Sequence, residues 1–179
     1  MATEKSDHFH FCPSCGAPSP VFDGHELSCG ACGFRYFQNI AATAGAILEH
    51  EGRYLFVVRG REPSKGLLGL PGGFVDPGEN LVDAVVREVR EEVFGEIENP
   101  KFFASFANTY RFGGVLYHTC DSYFVATLIT PIERLVGQAE EVDRLCWLLP
   151  QEVQPERLGF PSLRRVWDKF AHGLSNVTK

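Results

Sequence analysis

The 179-residue chain has no excess of positive charge: 17 Lys and Arg stand against 23 Asp and Glu, for a net charge of −6 and a pI near 5.5. This excludes attachment to nucleic acid or anionic membrane through bulk electrostatics, and a polyanionic substrate has to be held by local cations. A long apolar run is also lacking. The first eleven residues contain nothing able to serve as a signal peptide, and no stretch approaches the roughly eighteen apolar residues of a membrane span, so a cytoplasmic location is expected. Internal repeats and low-complexity linkers are absent. What remains is the composition of one ordinary core, 44% apolar and 22% charged, with room for a small appendage.

Four of the six cysteines form that appendage. They occur as Cys12-Pro-Ser-Cys15 and Cys29-Gly-Ala-Cys32, thirteen residues apart, each pair followed by a glycine, Gly16 or Gly33. Two close pairs on facing turns suit tetrahedral thiolate ligation of Zn²⁺, and so short a stretch needs the metal to fold. Disulfides are disfavoured in a chain without a secretory signal, as is a redox pair without a surrounding βαβ pattern. Residues 1–38 are therefore expected to form a zinc ribbon, with Val21-Phe22 and Glu26-Leu27 as hairpin strands around Asp23-Gly24. His8 and His10 fall in its tail. The aromatic exit, Phe34, Tyr36 and Phe37, is expected to cover the knuckle or seat the ribbon. Cys120 and Cys146 lie in predicted strands as small buried thiols.

The second landmark runs from Gly72 to Gly95. Pro71, Gly72, Gly73, Pro77 and Gly78 force a sharp turn, and a helix follows with Asn80 as N-cap, Asp83 beside it and Gly95 as its stop. Leu81, Val85, Val89 and Val93, with Val82 and Val86, make an apolar stripe to pack on a sheet. Glu88, Glu91 and Glu92 fall on one side, Glu92 about 40° around from Glu88 and against the apolar edge. Like charges at this spacing destabilise a helix, and a carboxylate on an apolar edge loses solvation. Pairing with Arg87 and Arg90 on a solvated face is one resolution. A divalent cation is the other, and oxygen-only ligands suit Mg²⁺ or Mn²⁺.

The spacing itself, Gly73, five residues, Glu79, seven residues, then Arg87-Glu88-Val89-Arg90-Glu91-Glu92, resembles the signature box of the Nudix hydrolases, which cleave nucleoside diphosphates linked to another group X. One departure is Phe94-Gly95, where the family has glycine followed by an aliphatic residue. The resemblance covers residues 40 to about 150 and implies an α/β fold, an α/β/α sandwich with a mixed sheet over 39–179, preceded by the small four-cysteine zinc ribbon. It also implies Glu88 and Glu92 as metal ligands with Glu91 assisting, the Gly73 carbonyl as a further oxygen, Glu79 orienting Arg87 or holding a metal-bound water, and Glu92 or Glu141 taking a proton from water. Glu141 earns its place by standing six residues before Trp147. The ribbon-then-box order is similar to the NADH pyrophosphatases, but their downstream Ser-Gln-Pro-Trp-Pro-Phe-Pro-like motif is absent.

Around the box, Ile40–Leu48 and Tyr54–Arg59 read as strands joined at Glu51-Gly52, and Lys101–Ala107 and Tyr123–Ile129 as two more. Arg59 and Arg61 end a strand where a phosphate can meet a guanidinium fork. The connection 108–122, turning at Gly113-Gly114, is either an extended hairpin or a specificity loop in which Tyr110 stacks on a base and Arg111 meets phosphate. Pro161–His172 makes a closing helix with Leu163, Val166, Trp167 and Phe170 on one face, followed by a loose tail after Gly173. The expected activity is a Mg²⁺- or Mn²⁺-dependent pyrophosphohydrolase for a small-molecule nucleotide, ADP-ribose-like first and NADH or NAD second. The other class is a non-catalytic nucleotide-binding or RNA-associated module. Retention of all four glutamates opposes it, as does a ribbon with Lys5 and Arg35 against four acids. A homodimer is compatible with the family.

Overall fold

The structure is a computed structural model that describes residues 9–113 and 115–177, with side chains to 174. Expectations for His8 and for Gly114 therefore lie outside the described residues. Two compact units divide the chain, one of residues up to 40 together with 111–117, the other of 41–110 and 118 onward.

The first unit is built on two matching turns. Gly16 N–H donates to Cys12 O and Gly33 N–H to Cys29 O, both at 2.9 Å, and the two glycines take φ of 72° and 74°, where a β-carbon would be strained. Between and beyond them lie β1 (Val21–Phe22), β2 (Glu26–Ser28) and β3 (Arg35–Phe37), an antiparallel three-stranded sheet. The expected hairpin is present, its turn closed by Asp23 Oδ1 accepting from the His25 and Glu26 amides. Leu27 is its buried apolar side chain, whereas Tyr36 and Phe37 stay about half exposed.

The second unit is a sheet between two helices. Its strands are β4 (Ala41–His50), β5 (Arg53–Arg59), β6 (Leu68–Gly69), β7 (Gly72–Phe74), β8 (Ile97–Phe112), β9 (Val115–Leu128) and β10 (Val142–Leu148). The order is β10-β5-β4-β9-β8, with β6 on β5 and β7 on β4. The sheet is mixed: β4 runs parallel to β9 from Ala41↔Thr119 to Leu48↔Ala126 and antiparallel to β5 and β7. Glu51 (φ 49°) and Gly52 (φ 75°) close the β4–β5 hairpin in the two-residue form that matches strand twist. The 108–122 connection is strand almost throughout, so the extended hairpin is the form it takes. Cys120 and Cys146 do lie in strands, β9 and β10, but neither is buried: Cys120 is exposed and Cys146 half-buried, since alternate strand residues face outward.

Helix α1 (Leu81–Val93) covers one face of this sheet. Asn80 Oδ1 accepts from the Val82 and Asp83 amides at 2.9 and 3.0 Å, and Val85, Val89 and Val93 bury completely against Ala46, Leu48, Leu55 and Phe124. Val82, assigned to the apolar stripe, instead faces solvent. Helix α2 (Pro161–Val177) covers the other face, continuing through the tail expected to be loose. Trp167 and Phe170 meet Tyr54 edge-on with centroids 5.4 and 5.2 Å away, and Trp167 meets Phe56 at 4.9 Å, pairs each contributing roughly 0.5–1.5 kcal/mol beyond area burial.

The departure from the box has a local cost. Helix α1 ends one residue earlier than Gly95, at Phe94, which takes the left-handed conformation (φ 50°, ψ 35°) that glycine adopts freely, while its ring is more than half exposed. A β-carbon on Gly95 would press on Leu135 at 3.1 Å and Val89 at 3.3 Å, so the small residue is needed there for packing. Phe94→Gly should therefore stabilise the fold by about 1 kcal/mol, raising Tm by roughly 2–4 °C in calorimetry.

Candidate active site

One cleft of about 600 Å³ opens in the second unit where β7 crosses β4 and the turn residues of the box meet α1. Its floor begins with backbone. Ala44 pairs with Gly73 and Gly45 with Gly72, and the Glu88 carboxylate lies directly over Gly73, where a β-carbon would fall 2.6 Å from Glu88 Oε1. The spacing of the box thus has a steric content: a side chain at 73 cannot coexist with Glu88 in this position.

Arg87 holds the acidic residues around it in place. Its Nε and Nη2 donate to both oxygens of Glu79 at 2.9 Å, Nη1 to Glu88 at 2.7 Å and Glu91 at 3.0 Å, and Nη2 to the Phe74 carbonyl at 2.8 Å. The Glu79 pair, set by sequence spacing alone, is thus a two-pronged fork, and Arg87 bonds hold the Glu79 carboxyl below its usual range. Arg90 plays no part here and pairs with Glu96.

Glu88 and Glu92 are both buried. Burial raises Glu88, an effect that Arg87 opposes. Burial pushes Glu92 up to about 8 against the help of the Gly72 amide, which donates to its Oε2 at 3.0 Å. Glu141 lies at the cleft as well, tied through Oε1 to Arg61 at 2.7 Å. Arg59 lines the same space, its guanidinium 5.0 Å above the Phe160 ring and its Nε donating to the Pro63 carbonyl.

Of the residues singled out from the sequence, Gly73, Glu88, Glu91, Glu92, Glu141, Arg59, Arg61 and Tyr110 line the cleft. Glu79 and Arg87 stand behind it as a brace. Arg111 does not line it and belongs to the 111–117 segment of the first unit. Sequence reasoning missed Thr43, Asn108, Thr119, Asp121 and Ser162, which bond to one another at the cleft, and Phe74 and Phe160, which wall it. Polar residues alternating as Thr119, Asp121 and Tyr123 along a strand are the signal that marks an inward polar face.

The donor sets fit two kinds of metal. The cysteine sulfurs all lie within 4.8 Å of one another, with Cys12 to Cys32 and Cys15 to Cys29 both 3.8 Å. A regular tetrahedron with Zn–S bonds of about 2.3 Å has edges of about 3.8 Å. The backbone amides of Cys32 and Ala31 draw the Cys29 thiol down to about 7, whereas, against the Ala17 amide, the neighbouring sulfurs push Cys15 up to about 12, so the crowded thiols share their protons unequally. At the cleft the donors are carboxylate and carbonyl oxygens, the hard set of Mg²⁺ or Mn²⁺. Among the described residues only the cysteines are drawn together as a ligand cluster, since Arg87 occupies oxygens of Glu88 and Glu91.

Comparison with known proteins agrees with this geometry. Over 106 residues the chain is 34% identical to the NAD-capped RNA hydrolase NudC of Stutzerimonas stutzeri (strain A1501), a match covering 59% of this chain and 38% of that protein. It is 41% identical over 59 residues to the ADP-ribose pyrophosphatase of Methanocaldococcus jannaschii, covering 33% and 35% of the two chains. The chain thus spans well under half the length of these curated relatives. A NUDIX hydrolase from Nitrosomonas europaea has the same fold, with a TM-score of 0.70 at 22% identity over 90% of both chains. The NUDIX domain family matches residues 39–169, most of the chain and all of the cleft described above, and the chain belongs to that family.

Proposed function

We propose that the chain is a Mg²⁺- or Mn²⁺-dependent pyrophosphohydrolase that cleaves the diphosphate of a nucleoside diphosphate linked to X, with an ADP-ribose-like substrate preferred. The observation that carries this reading is the charge of the cleft. Asp76, Glu88, Glu91, Glu92, Asp121 and Glu141 line it against Arg59 and Arg61, and Arg87 behind it offsets part of the charge of Glu88 and Glu91, so carboxylates still outnumber the cations and a diphosphate is disfavoured unless divalent ions accompany it. A bound divalent ion, held by Glu88 and Glu92 with Glu91 and the Gly73 carbonyl, would neutralise phosphate charge and lower the pKa of water.

The chain's own residues supply the rest. Arg87 fixes the Glu88 and Glu91 carboxylates and locks the turn at Phe74, so the ligand positions are set before substrate arrives. Arg59 and Arg61 sit where non-bridging phosphate oxygens need guanidinium donors. Glu92 and Glu141 are the two carboxylates able to take the proton from the attacking water. Water adds to one phosphorus, the bridging P–O bond breaks, and the products are a nucleoside monophosphate and the phosphate of X. Zn²⁺ on Cys12, Cys15, Cys29 and Cys32 has a structural role in a reduced, cytoplasmic setting.

A second reading, cleavage of an NAD-type end on RNA, is favoured by the name of the S. stutzeri relative. The ribbon offers it little, since Arg35 is already engaged with both oxygens of Glu26 at 2.6 Å.

Phosphate release with a coupling phosphatase should be seen from ADP-ribose only with Mg²⁺ or Mn²⁺, and Glu92→Gln should lower kcat by at least about 10²-fold; undiminished turnover in the variant removes Glu92 from the metal set. Without divalent ions, the raised Glu92 binds a proton in the folded state that the unfolded chain releases above about pH 4.5. Stability should then fall as pH rises toward about 8, by an order of a few kcal/mol, and Glu92→Gln should flatten that slope in urea titrations. Zinc chelation or Cys29→Ser should unfold the ribbon, seen by loss of protection of 9–40 in hydrogen exchange, while the α1 amides stay protected.

A further inference from the structure

A polar knot at the cleft is not used by this reaction. Asp121 of β9 accepts four hydrogen bonds: from Thr43 Oγ1 (3.0 Å) and Thr119 Oγ1 (2.6 Å) on Oδ1, and from Asn108 Nδ2 (2.9 Å) and Ser162 Oγ (2.5 Å) on Oδ2. Tyr123 OH donates in turn to Ser162 Oγ at 3.0 Å. Every acceptor position of the carboxylate is taken, so Asp121 has nothing left for a ligand. It is a fixture that joins β4, β8, β9 and the start of α2.

What it fixes is Asn108. Both Asp121 oxygens act as acceptors here, so the Asn108 amide turns its NH₂ to Asp121, and its oxygen is committed to the other direction. That oxygen, Oδ1, is buried and is the one buried side-chain polar atom among the described residues that has no partner. A buried carbonyl without a donor is costly, and it calls for a partner such as a ligand group or a water. Asn108 lines the cleft. Two residues on along β8 and on the same face, Tyr110 meets Phe74 edge-on at 5.4 Å and lies 6.0 Å from Phe160, so flat apolar walls stand beside the waiting acceptor.

We infer that Asn108 is the specificity-determining residue for the base. Its oriented Oδ1, covered in the resting cleft, accepts a hydrogen bond from the exocyclic amine of a nucleobase seated against Tyr110 once the side chain yields to it, which favours amino-bearing bases such as adenine over those lacking the amine. Asp121, with Thr43, Thr119 and Ser162, is the positioning group that holds the amide in this sense. The inference rests on the nucleotide reading of the cleft, and it is tested by a measurement that does not need turnover.

The full chain in Mg²⁺ is titrated calorimetrically with AMP, with purine riboside 5′-monophosphate, which lacks only the amine, and with 2′-deoxy-AMP. AMP should bind about 10-fold more tightly than the purine riboside nucleotide, as one hydrogen bond to a buried carbonyl allows, and 2′-deoxy-AMP should match AMP within about 2-fold. In Asn108→Leu, which keeps bulk and removes the acceptor, the preference for the amine should collapse to within about 2-fold. Asn108→Ala serves in its place should the leucine variant fail to fold. Equal binding of the two purines by the wild-type chain, a preference that survives both variants, a loss traced to the 2′-hydroxyl instead, or no AMP binding at all overturns the assignment. Phosphate release from ADP-ribose, run in parallel, judges the hydrolase reading separately: selective AMP binding without turnover sinks hydrolysis and leaves Asn108 standing.

Discussion

A single guanidinium holds the cleft's acidic edge together. Arg87 bonds to Glu79, Glu88, Glu91 and the carbonyl of Phe74, and through them ties the β7 turn to the helix that follows it. Without that charge the helix would carry three acids within little more than about one turn, two of them facing inward, and the turn before it would lose its lateral anchor. Charge-assisted bonds of this kind are about twice as strong as neutral ones and directional besides. The site is preorganised by this one side chain more than by any apolar contact.

Glu92 shows the opposite economy. It makes no ion pair among the described residues, has one amide donor from Gly72 and only the longer-range charge of Arg59, and sits in an environment that favours its proton. Such a group, buried with a single donor, is costly to ionise in the resting protein. The two glutamates four residues apart on one helix thus differ in kind: Glu88 is held by the guanidinium of Arg87, and Glu92 by a single backbone amide.

Much of this is legible in the sequence because the determinants are local. The Asn80 cap, the turn at Glu51-Gly52, the ribbon knuckles and the Glu79–Arg87 fork all lie within a few residues of their partners, and periodicity or spacing reveals them. The knot around Asp121 is the reverse. Thr43 and Asp121 are brought together only by the parallel register of β4 on β9, and Ser162 only by the seating of α2, so no window of sequence contains the motif. Phe94 escapes sequence reasoning for a third reason: tertiary packing against Leu135 requires the small residue one place later, and the turn accepts a strained aromatic to provide it.

The same parallel pairing governs the order in which the molecule can be made. Thr43 and Asp121 are 78 residues apart, and Ser162 lies 41 residues further on. Closing such long loops is entropically slow compared with forming the β4–β5 hairpin or α1. During synthesis the residues of the box emerge before β9 and α2, on which both the packing of α1 and the knot around Asp121 depend. A nascent chain therefore carries the residues of the box well before Ser162 arrives, and the knot around Asp121 closes only when α2 is seated.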